Sequence, residues 1–109
     1  MSDYMTIQTT LPPYLPYPRF LLDTALSQTA KVIYAVLLDR ATLSQANGWV
    51  DHSGRLYLIF PIAGIASTIG KSISTVKDAL NELERSDYLR RERRNRENGG
   101  DTSNLYIVK

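Results

Sequence analysis

Two groups of side chains carry most of the chemistry this chain can offer. The first is a run of five arginines, Arg90, Arg91, Arg93, Arg94 and Arg96, within seven residues and with Glu92 among them. Guanidinium groups stay charged at any physiological pH and fork onto phosphate oxygens. The second is a polar set that precedes the arginines: Lys71, Ser72, Ser74, Thr75, Lys77, Asp78 and Asn81. Hydroxyl, amide and ammonium groups of this kind bond phosphates and base edges. Lys77 suits guanine or a phosphate, and Asn81 suits adenine. Asp78 repels phosphates unless it accepts from a cytosine amino group.

Catalysis has no comparable set. Asp51, His52 and Ser53 have the residue types of a hydrolase triad, but contiguous residues in a tight turn cannot converge in that geometry. With no cysteine and one histidine, a disulfide framework, a thiolate site and a structural zinc site are excluded. Gly99-Gly100 has no helix behind it and is no phosphate-binding loop. The tyrosines are dispersed and form no base-stacking platform. The expectation is a binding protein, not an enzyme, with no cofactor and no metal.

Charge agrees with an anionic partner met by one end of the molecule. Residues 1–87 carry 7 basic and 8 acidic side chains, whereas residues 88–109 carry 6 basic and 3 acidic. A positive field concentrated in the last fifth of the chain is the footprint of an anionic partner met by that end. The 109 residues suit one domain, and 43% apolar residues suffice for one core. No apolar run is long enough to span a bilayer, and the N-terminus lacks the pattern of a secretory signal. A cytoplasmic protein without membrane contact is expected.

The elements that must position these groups follow from periodicity. Ser27 is a good N-cap, and Ala30, Ile33, Tyr34, Leu37, Leu38 and Ala41 continue one helical face. Asn47-Gly48 ends that helix. Residues 49–50 and 55–60 read as two strands joined by the turn 51–54, and Pro61 leads into a short helix over 62–69. Gly70 stops that helix and Ser72 caps the next. Val76, Ala79, Leu80 and Leu83 at i, i+3, i+4 and i+7 predict a helix over 73–85. Strands at 88–94 and 105–108 enclose a polar loop. Two short helices joined by a tight turn and followed at once by a hairpin read as an α+β fold. It is a winged helix-turn-helix with an extended N-terminal arm and two small β-hairpins. Small Ala66, then Gly70, then Val76 and Ala79 is the spacing that lets the two helices cross closely. Lys71 departs from it, since many such turns carry an apolar residue there.

In this frame the helix over 73–85 is the recognition helix, whose first turns enter the major groove. Alternation puts Arg90, Arg94 and Arg96 on one side of the hairpin and Arg91 and Arg93 on the other. Arg94 and Arg96, nearest the tip, are the first choices for phosphate or minor-groove contact. The proline-rich start (Pro12, Pro13, Pro16, Pro18) reads as an arm, flexible over 1–13, with the domain proper over 14–109. Val32 and Val36 lie off the main face of the first helix. Together with Tyr14, Tyr17 and Phe20 they suggest a homodimer interface, or a surface covered by the arm.

Residues 17–21 (YPRFL), 27–40 (SQTAKVIYAVLLDR), 47–60 (NGWVDHSGRLYLIF) and 72–84 (SISTVKDALNELE), with the final Leu105-Tyr106-Ile107-Val108, carry a further signal. Over residues 14–109 this series resembles the N-terminal domain of the replication initiator A family of plasmids and related mobile elements. The resemblance implies a winged-helix protein that binds repeated double-stranded DNA sites at a replication origin, often as a dimer. It also implies host replication proteins as partners of sequence beyond this domain. Pro61 stands where the family usually has a polar helix cap. Two other readings share the fold: a transcriptional regulator, and a protein-interaction module favoured by the near-neutral body and Asp78.

Overall fold

The computed structural model describes residues 4–93 and 103–108. Helix α1 (Gln28–Asn47) starts where the sequence puts its cap: Ser27 Oγ accepts from the Ala30 N–H. It ends at Gly48, which sits in the left-handed region at φ 68° and donates to the Ser44 and Gln45 carbonyls. Before it, the arm is not extended throughout. Residues Arg19–Asp23 wind into a 3-10 turn. Pro18 presets its start, Thr24 Oγ1 donates to the Leu21 carbonyl, and Leu21 is fully buried.

Helix α1 is buried on more than one side, which explains its two valines. Ala30, Ile33, Tyr34, Leu37 and Ala41 join the main core, while Ala35 and Val36 are buried outside that cluster. Val36 is 5% exposed and Val32 41%. Of the two valines, Val36 is therefore covered within one chain and Val32 is left on the surface.

Helices α2 (Ile62–Ile69) and α3 (Ile73–Arg85) have the expected bounds. Gly70, at φ 70°, makes the turn between them, and both it and Lys71 donate their N–H to the Ala66 carbonyl. A β-carbon on Gly64 would stand 3.0 Å from the Phe60 ring. The guanidinium of Arg40 lies over that ring, 4.2 Å from its centroid. Pro61 precedes α2 without a side-chain cap.

The two expected hairpins become one sheet. Val50 and Leu56 form a single bridge, and strand β1 (Leu58–Ile59) turns away to pair with the last strand. Strands β2 (Leu89–Arg93) and β3 (Ser103–Ile107) are antiparallel, and the order is β1-β3-β2. The driving term is burial. Leu58 faces Leu105 across the β1–β3 pair, and both are buried in the core with Leu89. The local turn still keeps its bonds, Asp51 N–H to the Arg55 carbonyl and Tyr57 N–H to the Trp49 carbonyl, and only from Leu58 does the chain pair with β3. Each such leucine contributes about 1.5–3 kcal/mol by burial. All three helices and all three strands thus share one core, and the chain is α+β as expected.

Candidate nucleic-acid interface

Helix α3 has two kinds of surface. Its inner stripe, Val76, Ala79, Leu80 and Leu83, is buried against α1, α2 and the sheet. Opposite that stripe, Ser74, Lys77, Asp78, Asn81 and Arg85 are exposed, as are Lys71 and Ser72 in the turn. Thr75 is half-buried and belongs to the cap: its N–H donates to Ser72 Oγ at 3.1 Å, and the two hydroxyls are 2.9 Å apart. Ile73 opens the helix with 49% of its surface exposed. The sequence reading took Ile73 only as the start of the helix and not as a contact residue. Its place in the first turn puts it among the groove-facing candidates, where an apolar side chain suits a thymine methyl.

The flanks of α3 are tied down by two carboxylates. On one side the hydroxyl and the backbone N–H of Ser27 both donate to Glu82, at 2.7 Å each. These bonds, the hydroxyl's first, hold the Glu82 carboxyl below its ordinary range. They also cap α1 from a residue 55 positions away. An in-helix capping box would need Glu or Gln three residues after Ser27, and Ala30 stands there. That vacancy was the only sequence signal for a distant acceptor.

On the other side Glu84 holds Arg91. Arg91 Nε and Nη2 each lie 2.7 Å from Glu84 Oε1, and Nη2 also donates to Asn81 Oδ1 at 2.6 Å. Asn81 and Arg91, expected to reach nucleic acid separately, are thus brought to each other. The alternation explains it. Arg91 pairs with core-facing Leu105, so its side chain comes off the face of the sheet that covers α3.

Arg90 is on the opposite face, across from Tyr106, and is exposed. That face carries its own cluster. The Arg55 guanidinium is 3.1 Å from Asp51 and 3.8 Å from Glu92, and lies over the Tyr106 ring. The Asp51 carboxyl is held below its ordinary range by the Arg55 N–H first, then by the Ser53 N–H and the Arg55 guanidinium. Burial pushes the Tyr106 phenol up. Asp51 is therefore a turn anchor: its carboxylate accepts from the backbone N–H groups of Ser53 and Arg55 and from the Arg55 guanidinium. Lys71, Lys77, Arg85 and Arg90 have no ion-pair partner among the described residues. Arg93 lies in β2 opposite Ser103. Arg94 and Arg96 lie outside the described residues.

Residues 14–109 match the family profile described as the N-terminus of replication initiator protein A (RepA). The chain belongs to that family. The family expectation drawn from residues 14–109 is thus met over the same span. Solved structures repeat the fold of this RepA N-terminal domain. One described as an MDR initiator has a TM-score of 0.72 and 25% identity over 98% of this chain and 86% of its own. A second, described as a Rep–DNA complex, has a TM-score of 0.75 and 24% identity, covering 98% and 84%. A third, described as the N-terminal domain of a DNA-binding protein, has a TM-score of 0.69 and 24% identity, covering 100% and 85%. The search of curated proteins finds no match.

For the expected dimer surface, Tyr14, Tyr17 and Val32 are exposed. Phe20 is partly engaged already: it stacks on Tyr88 at 5.8 Å and meets the edge of Tyr34 at 5.7 Å. No helix among the described residues is long and apolar enough to cross a membrane.

Proposed function

We propose that this domain binds double-stranded DNA sequence-specifically at the origin of a plasmid or mobile element and takes part in initiating replication. Helix α3 enters the major groove with Ser74, Lys77, Asp78 and Asn81 toward the bases and with Lys71 and Ser72 at the entering turn. Arg93, Arg94 and Arg96 follow the phosphate backbone. The observation that carries the reading is the outward face of α3. It is exposed and polar, and its cations Lys77 and Arg85, with Lys71 in the preceding turn, make no contact ion pair among the described residues, in a chain of the RepA family. The likeness to a structure described as a Rep–DNA complex supports it. Family membership favours initiation over a transcriptional role for the same fold. No catalysis is part of this reading, and action on DNA implies a cytoplasmic setting.

The test is a fluorescence-anisotropy titration at two salt concentrations, on duplex from the element's own origin and on random duplex. Tighter, salt-sensitive binding to the origin duplex is expected. Equal weak binding to both would remove sequence specificity from the domain. Absence of binding would turn the case to a protein-interaction module.

The exposed Tyr14, Tyr17 and Val32 support a homodimer through the arm side of α1. Sedimentation is expected to show a dimer at concentrations on the order of tens of micromolar, and Val32→Asp to weaken it. A monomer unchanged by that substitution removes the interface.

A further inference from the structure

Asn81 is exposed on the outward face of α3, yet one end of its amide is spoken for. A guanidinium has donors only. The amide atom 2.6 Å from Arg91 Nη2 is therefore the oxygen, and the NH2 group is turned the other way. Arg91 is itself held in place. Glu84 Oε1 is 2.7 Å from its Nε, Glu84 Oε2 accepts from its backbone N–H at 3.3 Å, and its side chain is only 22% exposed.

We propose that Arg91 is a positioning residue that orients Asn81 so that its amide donors face the groove, making Asn81 a reader of guanine and not of adenine. The proposal rests on the reading of α3 as the groove-facing helix. Pairing with adenine needs the amide oxygen to accept from N6 while the nitrogen donates to N7. Here the oxygen already accepts from a cation, whose charge opposes the approach of a second donor. Guanine asks only for donors, because both N7 and O6 on its major-groove edge are acceptors. The Asn81 NH2 group matches that edge. Glu84 also offsets the Arg91 charge at contact distance, so Arg91 is not a phosphate grip and releases no counterion of its own.

The experiment selects duplexes from a randomised pool with the wild-type chain, Asn81→Ala, Arg91→Lys and Arg91→Met, and reads base preference at each position. The salt dependence of binding to one random duplex is measured beside it. The wild-type motif is expected to contain a guanine whose preference falls roughly 10-fold in Asn81→Ala. The same position is expected to weaken in both Arg91 variants, with the salt slope unchanged in Arg91→Lys, which keeps a cation beside Glu84. Lysine keeps the charge but not the planar fork, so it does not rescue a geometric role. Thermal melting checks that each variant folds, and if Arg91→Met does not, Arg91→Lys decides. Adenine at the Asn81-dependent position overturns the proposal. So does full preference in Arg91→Lys. If the wild-type chain enriches no motif, the groove reading itself falls and the proposal with it, a result visible before any variant is made.

Discussion

The flanks of α3 and its outward face are built from similar polar residues and put to opposite uses. On the flanks, Glu84 is offset by Arg91 in a contact ion pair, and Glu82 keeps its charge but is fixed as the cap of α1 by the hydroxyl and N–H of Ser27. On the outward face, Lys77 has no ion-pair partner among the described residues, and Arg85 has none in contact, though its charge helps to hold the Glu82 carboxyl down. The difference teaches that net charge is a poor guide here. The field a partner meets depends on which charges the fold has already neutralised, because a pair in contact acts at a distance as a dipole.

The sharpest way to break the contrast is to remove the packing beneath it. Leu83→Ala, at a fully buried position shared by both surfaces, is expected to destabilise the domain by about 2–5 kcal/mol in denaturant unfolding. Lys77→Ala tests the outward face alone. It should cost about 1–3 kcal/mol on a selected site and little on random duplex, with folding stability unchanged. Equal losses on both would make Lys77 a phosphate contact.

Glu82→Gln tests the flank and should do the reverse, lowering stability by about 1 kcal/mol through the weakened cap of α1. Its pH dependence has a definite sign. The folded carboxyl titrates below its unfolded range, so its contribution is present above that range and is lost as pH falls through the folded value. The variant should therefore lose part of the acid limb of the wild-type stability curve. Arg90→Ala is the smallest change. Stability should stay within about 0.5 kcal/mol and the salt slope on random duplex should not change, because Arg90 leaves the sheet on the face away from α3. A slope lowered by about one unit would place Arg90 on the backbone.

Much of the scaffold was legible because local rules and burial agree there. Ser27 and Ser72 are caps, Gly48 and Gly70 are left-handed stops, and α2 and α3 keep the bounds their spacing predicts. The 3-10 turn at Arg19–Asp23 was not legible, because four prolines nearby argue for extension and only the burial of Leu21 argues against it. Neither was the departure of β1 from its own hairpin. A local turn with Gly54 favours pairing 49–50 with 55–60, and the competing partner, Leu105, is remote in sequence.

The same division runs through the candidate site. The sequence by itself determined which residue types are available, that α3 carries a polar face, and that positive charge gathers after residue 87. Helical and strand periods are local properties, and they suffice for that. Only the tertiary structure decided that Arg91 turns inward to Glu84 and Asn81, that Glu82 caps a helix begun 55 residues earlier, and that Val36 is covered while Val32 is not. Alternation tells which side of a strand a residue takes, but not what packs on that side. A carboxylate finds the nearest donor in space, and that distance is set by how α1, α3 and the sheet pack together.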